Sequence, residues 1–229
     1  MDRKVAIMTG ASGGIGACIA RELTENGWAL SLGARDPQDL RRQFPDAHIV
    51  RYDAFQAGET EWAMQARSHF GRIDAVICSA GLMVAEDVVD IPDEMLDRML
   101  DINVKSPRRL VRAVWPDLVA SGRGRVILLV SLSGKRVRSA ASSSYAVTKH
   151  AALALSHGFR QKGWAHGIRA TAICPGRVNT QMARSITDQP PEDMTRPETV
   201  ANMVRLALEL PNTASVAELT VNCDLEDCY

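Results

Sequence analysis

Short apolar runs alternate with stretches of helical periodicity along the whole 229-residue chain. The apolar runs predict buried strands, at residues 5–8, 29–34, 48–52, 75–79, 124–131, 169–174 and 218–222. The amphipathic stretches predict helices, at residues 15–26, 37–44, 59–70, 92–120, 144–164 and 197–210. Apolar strands that alternate with helices favour a parallel sheet covered on both faces. The pattern therefore predicts one doubly wound α/β domain over residues 1–229, an α/β/α three-layer sandwich with about seven strands.

Composition narrows the classes of partner. Lys and Arg number 27 and so do Asp and Glu, so the formal net charge is zero. A neutral chain gives no electrostatic reason to expect nucleic acid or an acidic membrane as a partner. No apolar run is long enough for a transmembrane helix, and the first strand begins too early to leave room for a targeting segment. We therefore expect a cytoplasmic protein.

The cysteines and histidines predict no metal site. The chain has five cysteines: Cys18, Cys78, Cys174, Cys223 and Cys228. None of them forms a C-x-x-C pair or has zinc-ligand spacing. Scattered cysteines in a cytoplasmic protein are expected to stay reduced.

The segment KVAIMTGASGGIG at residues 4–16 carries the first chemical signal. Gly10, Gly14 and Gly16 lie between a predicted strand and a predicted helix. Free N–H groups and the positive dipole end at a helix N-terminus bind phosphate oxygens, and glycine lets a pyrophosphate approach closely. The spacing G-x-x-x-G-x-G differs from the common Rossmann pattern. The flanking strand and helix nevertheless favour a dinucleotide site over a simple tight turn.

A second signal lies in YAVTK at residues 145–149. Tyr145 and Lys149 are one turn apart on one face of a predicted helix. A free phenol has a pKa near ~10 and is a poor acid–base catalyst at neutral pH, but a nearby ammonium favours the phenolate. Ser131 ends the preceding strand and offers a hydroxyl to a substrate oxygen. Without further context, the pair would be an ordinary exposed one.

The context comes from six segments that occur in order: TGASGGIG at 9–16, SAG at 79–81, Asn103, Ser131, YAVTK at 145–149 and PGRVNT at 175–180. Together they resemble the short-chain dehydrogenase/reductase family, in its compact single-domain branch, over nearly the whole chain. The resemblance implies a Rossmann-like fold and an NAD(P)-dependent oxidoreductase that interconverts a small carbonyl compound and an alcohol. It also implies a homodimer or homotetramer.

The resemblance assigns catalytic roles to four residues. Tyr145 would be the general acid/base, and Lys149 would lower its pKa and bind the nicotinamide ribose. Ser131 would orient the carbonyl, and the backbone of Asn103 would hold a water of the proton relay. Ser131 lies fourteen residues before Tyr145, where thirteen is more common, so Ser133 remains the alternative.

The resemblance also implies the cofactor-binding residues. Asp53 would contact the adenine, although a turn or helix cap is its structural alternative. Ser79 stands where the family usually has Asn, which leaves the packing of that loop open. The full predicted set is Gly10, Ser12, Gly14, Ile15, Gly16, Arg35, Asp53, Ser79, Ala80, Gly81, Tyr145, Lys149, Pro175, Gly176, Val178 and Thr180.

The end of the second strand bears on the choice of nicotinamide. An acidic residue there binds the ribose 2′-hydroxyl of NAD, whereas an arginine accommodates the 2′-phosphate of NADP. Counting from the glycines selects Asp36, but alignment on the strand puts Ala34 at the acidic position and Arg35 after it. Asp36 before Pro37 also has the pattern of a helix start. We therefore expect NADP(H), with NAD(H) as the alternative.

The substrate pocket is expected to be formed by residues 82–92, 133–144 and 177–196. Lys135, Arg136 and Arg138 would attract an anionic carbonyl compound if they face it, and otherwise form a solvated basic loop. An NADP(H)-binding redox sensor without turnover is the alternative function. An intact set of proton-transfer residues disfavours it, and the short C-terminal region disfavours a sugar-nucleotide epimerase.

Overall fold

The computed structural model describes residues 3–225, so Cys228 lies outside the described residues. Every strand pairing in this part of the chain is parallel, and the sheet has the order β3-β2-β1-β4-β5-β6-β7. The strands are β1 Val5–Thr9, β2 Ala29–Ala34, β3 His48–Arg51, β4 Ala75–Cys78, β5 Arg125–Leu129, β6 Arg169–Pro175 and β7 Glu218–Val221. The predicted seven-stranded parallel sheet is confirmed.

Helices cover both faces of this sheet. They are α1 Gly14–Glu25, α2 Gln38–Gln43, α3 Glu59–Phe70, α4 Asp93–Leu100, α5 Ser106–Ala120, α6 Ser143–Gly163, α7 Gln181–Arg184 and α8 Pro197–Glu209. One apolar core includes residues of α1 and α8 on one face, and a second includes residues of α3, α5 and α6 on the other. The three-layer α/β/α sandwich follows from these two cores.

The strand order reverses between β1 and β4, the topological switch point of the sheet. Strands β2 and β3 extend the sheet on one side of β1, and β4 pairs with the other side of β1, where Thr9 lies beside Cys78. Loops leaving the carboxyl ends of β1 and β4 therefore diverge, and a crevice opens between them. Ligands of doubly wound sheets bind in this crevice.

The helix predicted at residues 92–120 is interrupted. Its helical path continues from Asp93 to Ala120, but Asp101–Lys105 forms a π-helical turn. Pro107 has no amide hydrogen, so the carbonyl of Asn103 cannot receive the usual helical hydrogen bond from residue 107. Single π turns often mark functional sites, and this one contains Asn103.

The remaining differences from the predicted elements are small. Helix α7 lies in a segment predicted as loop, and its N-cap is Thr180, whose hydroxyl accepts a hydrogen bond from the Ala183 amide at 3.3 Å. The other predicted helices and strands have their ends within one or two residues of the prediction. Four residues are too few for a periodic signal, which explains why α7 was missed.

Candidate active site

A cavity of about 740 Å³ lies along the carboxyl edge of the sheet. Every predicted cofactor-binding and catalytic residue lines it except Asn103. The glycine loop after β1 forms its middle, Arg35 and Asp53 lie on the side of β2 and β3, and Ser131 and Pro175 lie on the side of β5 and β6. The topology thus brings together groups that are far apart in the sequence.

The glycine loop has a conformation that requires glycine. Gly10 has a φ of +77°, and a Cβ there would lie 2.5 Å from the amide nitrogen of Ala80. A Cβ on Gly16 would lie 2.0 Å from the carbonyl oxygen of Gly10. Because neither glycine has a side chain, the first loop can pack closely against its own helix and the segment after β4. A Cβ on Gly13, directly before α1, would meet nothing within 4 Å, so the helix N-terminus faces open space suited to a phosphate.

The segment after β4 follows the bottom of the cavity. The amide of Ala80 donates to the Thr9 hydroxyl at 3.3 Å, and a Cβ on Gly16 would lie 3.1 Å from Ser79 Oγ. The hydroxyl of Ser79 therefore lies against the first turn of α1. A Cβ on Gly81 would lie 3.7 Å from Lys149 Nζ, so the missing side chain leaves room beside that ammonium.

Ser131 and Tyr145 meet at the inner end of the cavity. Burial raises the pKa of Tyr145, and a hydrogen bond with Ser131 opposes that effect. Ser131 also donates to the carbonyl of Pro175 at 3.4 Å and accepts from the amide of Ser133 at 3.1 Å. These contacts hold its hydroxyl beside the phenol, whereas no described hydrogen bond joins the hydroxyl of Ser133 to Tyr145.

Lys149 lies behind the phenol, one turn along α6. Its side chain is 3% exposed, Nζ donates to the carbonyl of Leu129 at 2.9 Å, and Nζ lies 5.5 Å from the centre of the Tyr145 ring. Burial lowers the pKa of Lys149 to about 8. At pH 7 the amine is therefore mostly protonated, and a positive charge within this distance favours the phenolate. The expectation that Lys149 lowers the pKa of Tyr145 stays a prediction, because burial is the larger effect on the phenol.

Asn103 lies in the π turn and does not line the cavity. Its amide group pairs with the backbone of Leu82, accepting from the amide at 2.9 Å and donating to the carbonyl at 2.8 Å. Its Nδ2 also donates to Thr148 Oγ1 at 2.9 Å, on the helix turn that precedes Lys149. The side chain therefore joins the segment after β4 to α6, which leaves only its backbone for the predicted water relay.

At the end of β2, Arg35 lines the large cavity and Asp36 does not. The Asp36 carboxylate accepts a hydrogen bond from the amide of Gln38, the first residue of α2, at 3.0 Å, although Pro37 and not Asp36 is the N-cap residue of that helix. A second cavity of about 410 Å³ adjoins this corner and is lined by Arg35, Arg41 and Arg51 together with Asp36. Arg41 and Arg51 are basic groups that the sequence motifs did not identify. Arg51 is near Arg35 because β2 pairs with β3, where Ala34 is beside Arg51, whereas Arg41 lies on α2, which follows Arg35 in the chain.

Asp53 forms the turn considered for it and also lines the cavity, while its contact with the adenine stays a prediction. One carboxylate oxygen accepts from the Phe55 amide at 3.1 Å, which fixes the turn, and the residue also lines the cavity. The guanidinium of Arg98 from α4 lies 4.7 Å from the centre of the Phe55 ring. Arg98 and Phe55 both line the cavity near Asp53 and were not singled out from the sequence, because only the fold brings α4 to this loop.

The loop after β6 closes the other end. The amide of Gly176 donates to Val221 at 2.7 Å, and a Cβ at this position would collide with Asn222. A Cβ on Gly14 would lie 3.3 Å from a methyl carbon of Thr180, so this loop reaches the glycine loop. Val178 pairs with Thr195, which anchors the loop.

All three predicted substrate-pocket segments contribute to the cavity wall. Leu82, Met83 and Ala85 represent the first segment, and the second and third contribute up to Ser142 and Ile186 respectively. Within residues 3–225, no group of three or more His, Cys, Asp or Glu side chains is arranged to hold a metal ion. No described helix is both long enough and apolar enough to cross a bilayer.

The parallel sheet and the cavity at its carboxyl edge define a Rossmann-like fold with a ligand-binding cleft, and comparison with known proteins identifies the family. A sequence profile described as short chain dehydrogenase matches residues 4–191. The chain belongs to the short-chain dehydrogenase family.

Two agropine synthesis reductases of Rhizobium rhizogenes are 36% and 34% identical to this chain over 98% and 96% of it. The alignments cover 54% and 52% of those proteins, so the chain spans about half the length of these curated relatives. An uncharacterized oxidoreductase of Staphylococcus saprophyticus is 32% identical over 95% of this chain and 96% of its own length.

Solved structures agree with this fold. An alcohol dehydrogenase from the archaeon Thermococcus sibiricus, complexed with 5-hydroxy-NADP, superposes with a TM-score of 0.88 at 29% identity, covering 96% of this chain and 97% of that one. A metagenomic short-chain oxidoreductase in complex with NADP has a TM-score of 0.83 at 26% identity, covering 95% and 96%.

Proposed function

We propose that this protein interconverts a carbonyl compound and an alcohol with NADP(H), using Tyr145 as general acid/base. The observation that carries the proposal is the arrangement of Ser131, Tyr145 and Lys149 at one end of a cavity whose middle is a glycine loop suited to phosphate. A bound nicotinamide supplies or accepts the hydride. The chain itself must then hold the substrate oxygen and move one proton.

The residues at the inner end suit that task. Burial raises the pKa of Tyr145, so the phenol is protonated at neutral pH and donates its proton to the oxygen of a carbonyl being reduced. Ser131 binds the same substrate oxygen from the side. The protonated Lys149 stabilises the phenolate that remains, and the backbone of Asn103 supplies the water relay that returns a proton.

The chain's own surfaces fit a dinucleotide. Gly13 leaves the N-terminus of α1 open for the pyrophosphate, and Gly81 leaves space beside Lys149 for the nicotinamide ribose. Asp53 lies in the wall where the adenine is expected. Each of these features provides either room or a hydrogen-bonding group at a place the cofactor would occupy.

We propose a preference for NADP(H) over NAD(H). Arg35 lines the corner shared by two cavities, and Arg41 and Arg51 line the second cavity with it, against the single carboxylate of Asp36, which accepts a hydrogen bond from the Gln38 amide. A guanidinium binds phosphate through charge-assisted hydrogen bonds. The complexes of two structural relatives with NADP and 5-hydroxy-NADP are consistent with this choice.

The cofactor proposal is tested with Arg35→Gln. We expect kcat/KM for NADPH to fall about tenfold or more, since a charge-assisted bond contributes about 1.5–3 kcal/mol, while kcat/KM for NADH changes little. Arg42→Gln is the control, because Arg42 lies on α2 in an exposed pair with Asp39. Equal kcat/KM for NADH and NADPH in the wild type would contradict the preference.

The catalytic proposal is tested by following NADPH absorbance at 340 nm with a panel of aldehydes and ketones. Tyr145→Phe is expected to lower kcat by about 10²–10⁴-fold, the usual contribution of a positioned acid–base group. Ser131→Ala should lose most activity, whereas Ser133→Ala should retain it; the reverse result would transfer the role to Ser133. NADPH binding without turnover of any carbonyl would favour the sensor hypothesis.

We also expect a homodimer or homotetramer, which light scattering would test.

A further inference from the structure

The walls of the large cavity are far more positive than the protein as a whole. The chain has equal numbers of basic and acidic residues. Among the described residues that line the cavity, the single acidic one is Asp53, whereas six are basic: Arg35, Arg98, Arg136, Arg138, Lys149 and Arg177. An excess of one sign within a cleft attracts ligands of the opposite charge.

Half of these basic groups are accounted for by the proposed cofactor. Arg35 follows β2, Arg98 lies against Phe55 near the adenine end, and Lys149 lies behind Tyr145. The other three belong to loops on the opposite side of the sheet: Arg136 and Arg138 lie between β5 and α6, and Arg177 follows β6. These loops follow Ser131 and Pro175 in the chain, so the three arginines line the cavity on the side of β5 and β6, where Ser131 and Tyr145 also lie.

Two of the three arginines are held together by one carboxylate. Asp224 Oδ2 lies 2.5 Å from Arg177 Nη1 and 3.4 Å from Arg138 Nη1. Gln189 completes the cluster, accepting from Arg177 at 2.9 Å and donating to Asp224 at 3.3 Å. Asp224 itself does not line the cavity, and its contacts hold the two guanidinium groups near each other.

The charges in this cluster do not cancel. Two guanidinium groups share the single carboxylate of Asp224, and each guanidinium carries five N–H donors. The side chains of Arg138 and Arg177 remain 49% and 31% exposed. Lys135 does not add to this charge, because it pairs at 2.5 Å with Glu218, which also contacts His157. Among the described residues, this end of the cavity is therefore lined by more guanidinium groups than carboxylates.

We propose that the carbonyl substrate carries an oxyanionic group, a carboxylate or a phosphate, which binds Arg136, Arg138 and Arg177 while its carbonyl oxygen lies at Ser131 and Tyr145. This inference rests on the proposed reductase function and adds the class of substrate. Guanidinium groups bind either anion through paired hydrogen bonds.

Matched substrate pairs test the inference. A keto acid is compared with its methyl ester, and dihydroxyacetone phosphate with dihydroxyacetone, by NADPH oxidation in 20 mM and 300 mM salt. We expect at least one anion to have a kcat/KM about tenfold or more above its neutral partner, with that advantage reduced by salt. The pair showing the advantage distinguishes a carboxylate from a phosphate.

The variant Arg138→Gln connects the advantage to this wall. It should lower kcat/KM for the anion about tenfold through KM and leave the neutral partner unchanged, and Arg136→Gln should do the same. Arg112→Gln removes one positive charge from an exposed position on α5 that does not line the cavity, so it should change neither substrate.

Two results would overturn the inference: equal, salt-insensitive turnover of anionic and neutral partners, or an anion advantage that Arg136→Gln and Arg138→Gln both leave intact. Failure of every carbonyl compound, neutral ones included, would instead contradict the proposed reductase function. In that event, calorimetry of the keto acid and dihydroxyacetone phosphate with the NADPH-bound protein still decides the matter. Binding of either that is lost in Arg138→Gln supports the inference, and no binding of either refutes it.

Discussion

Lys149 is expected to make the folded protein less stable than it would be with an uncharged side chain of similar size. The amine is buried, and its pKa is lowered from 10.5 to about 8. This difference corresponds to about 3 kcal/mol of destabilisation at pH values below about 8, where both the native and the unfolded chain are protonated, at 1.36 kcal/mol for each tenfold change in proton affinity. The hydrogen bond from Nζ to Leu129 returns about 1 kcal/mol. Lys149→Met should therefore be about 2 kcal/mol more stable than the wild type at pH 7.

The pH dependence has a definite sign. Below pH 8 both the native and the unfolded protein carry the proton on Lys149, so the full cost is present. Between about pH 8 and 10.5 the unfolded chain keeps the proton and the native protein does not, so the wild type gains stability as the pH rises. From pH 7 to pH 9.5 this gain is about 2 kcal/mol. The advantage of Lys149→Met should therefore nearly disappear at pH 9.5.

Urea unfolding at pH 7 and pH 9.5, followed by tryptophan fluorescence, measures both quantities. The control is Lys162→Met, which makes the same substitution at an exposed position near the end of α6. Its effect should stay within about 0.5 kcal/mol at both pH values. A stability difference between the wild type and Lys149→Met that does not change with pH would refute the reasoning. Lys149→Met should also lose reductase activity, which would show that stability was given up for function.

Three further predictions concern the cofactor cleft and its support. Gly81→Ala should fold normally, because its Cβ would make ordinary contacts of 3.6–3.7 Å, yet it should weaken NADPH binding about tenfold by filling space beside Lys149; a fluorescence titration showing wild-type affinity would contradict this. The value of kcat/KM for carbonyl reduction should fall as the pH rises through about 8, where Lys149 loses its proton; a flat profile from pH 7 to 9.5 would refute that role. Glu59→Ala should destabilise the protein by about 3–5 kcal/mol, because the buried Glu59 binds Tyr52 at 2.7 Å and Arg109 at 2.9 Å; chemical denaturation measures the loss, and a change below about 1 kcal/mol would show that this network is dispensable.

Much of the architecture could be predicted from local patterns. The apolar strands and the helical periodicity between them predicted every strand and all but the shortest helix, because a buried parallel strand needs side chains that are apolar on both faces. The glycine loop could also be predicted from the sequence. The positive φ of Gly10 and the close backbone contact at Gly16 require residues without a side chain. The order of motifs then indicated the family.

Other properties depended on contacts between distant segments. The π turn at Asn103 interrupts a stretch that has continuous helical periodicity, so no local pattern distinguished it. Asp36 and Arg35 are adjacent in sequence, and only the fold shows that Arg35 lines the large cavity whereas the Asp36 carboxylate accepts a hydrogen bond from the Gln38 amide at the start of α2. Arg98 reaches Phe55 because α4 folds over the loop after β3.

The sequence by itself determined which elements form and which chemical groups the chain carries at the strand ends. The tertiary structure decided the charge and proton affinity of those groups. Lys149 has a lowered pKa because the fold removes it from water, and Arg138 and Arg177 form a positive wall because Asp224 holds both of them. Solvation and electrostatic energies depend on distances in space, and positions far apart in the sequence acquire those distances only when the sheet assembles.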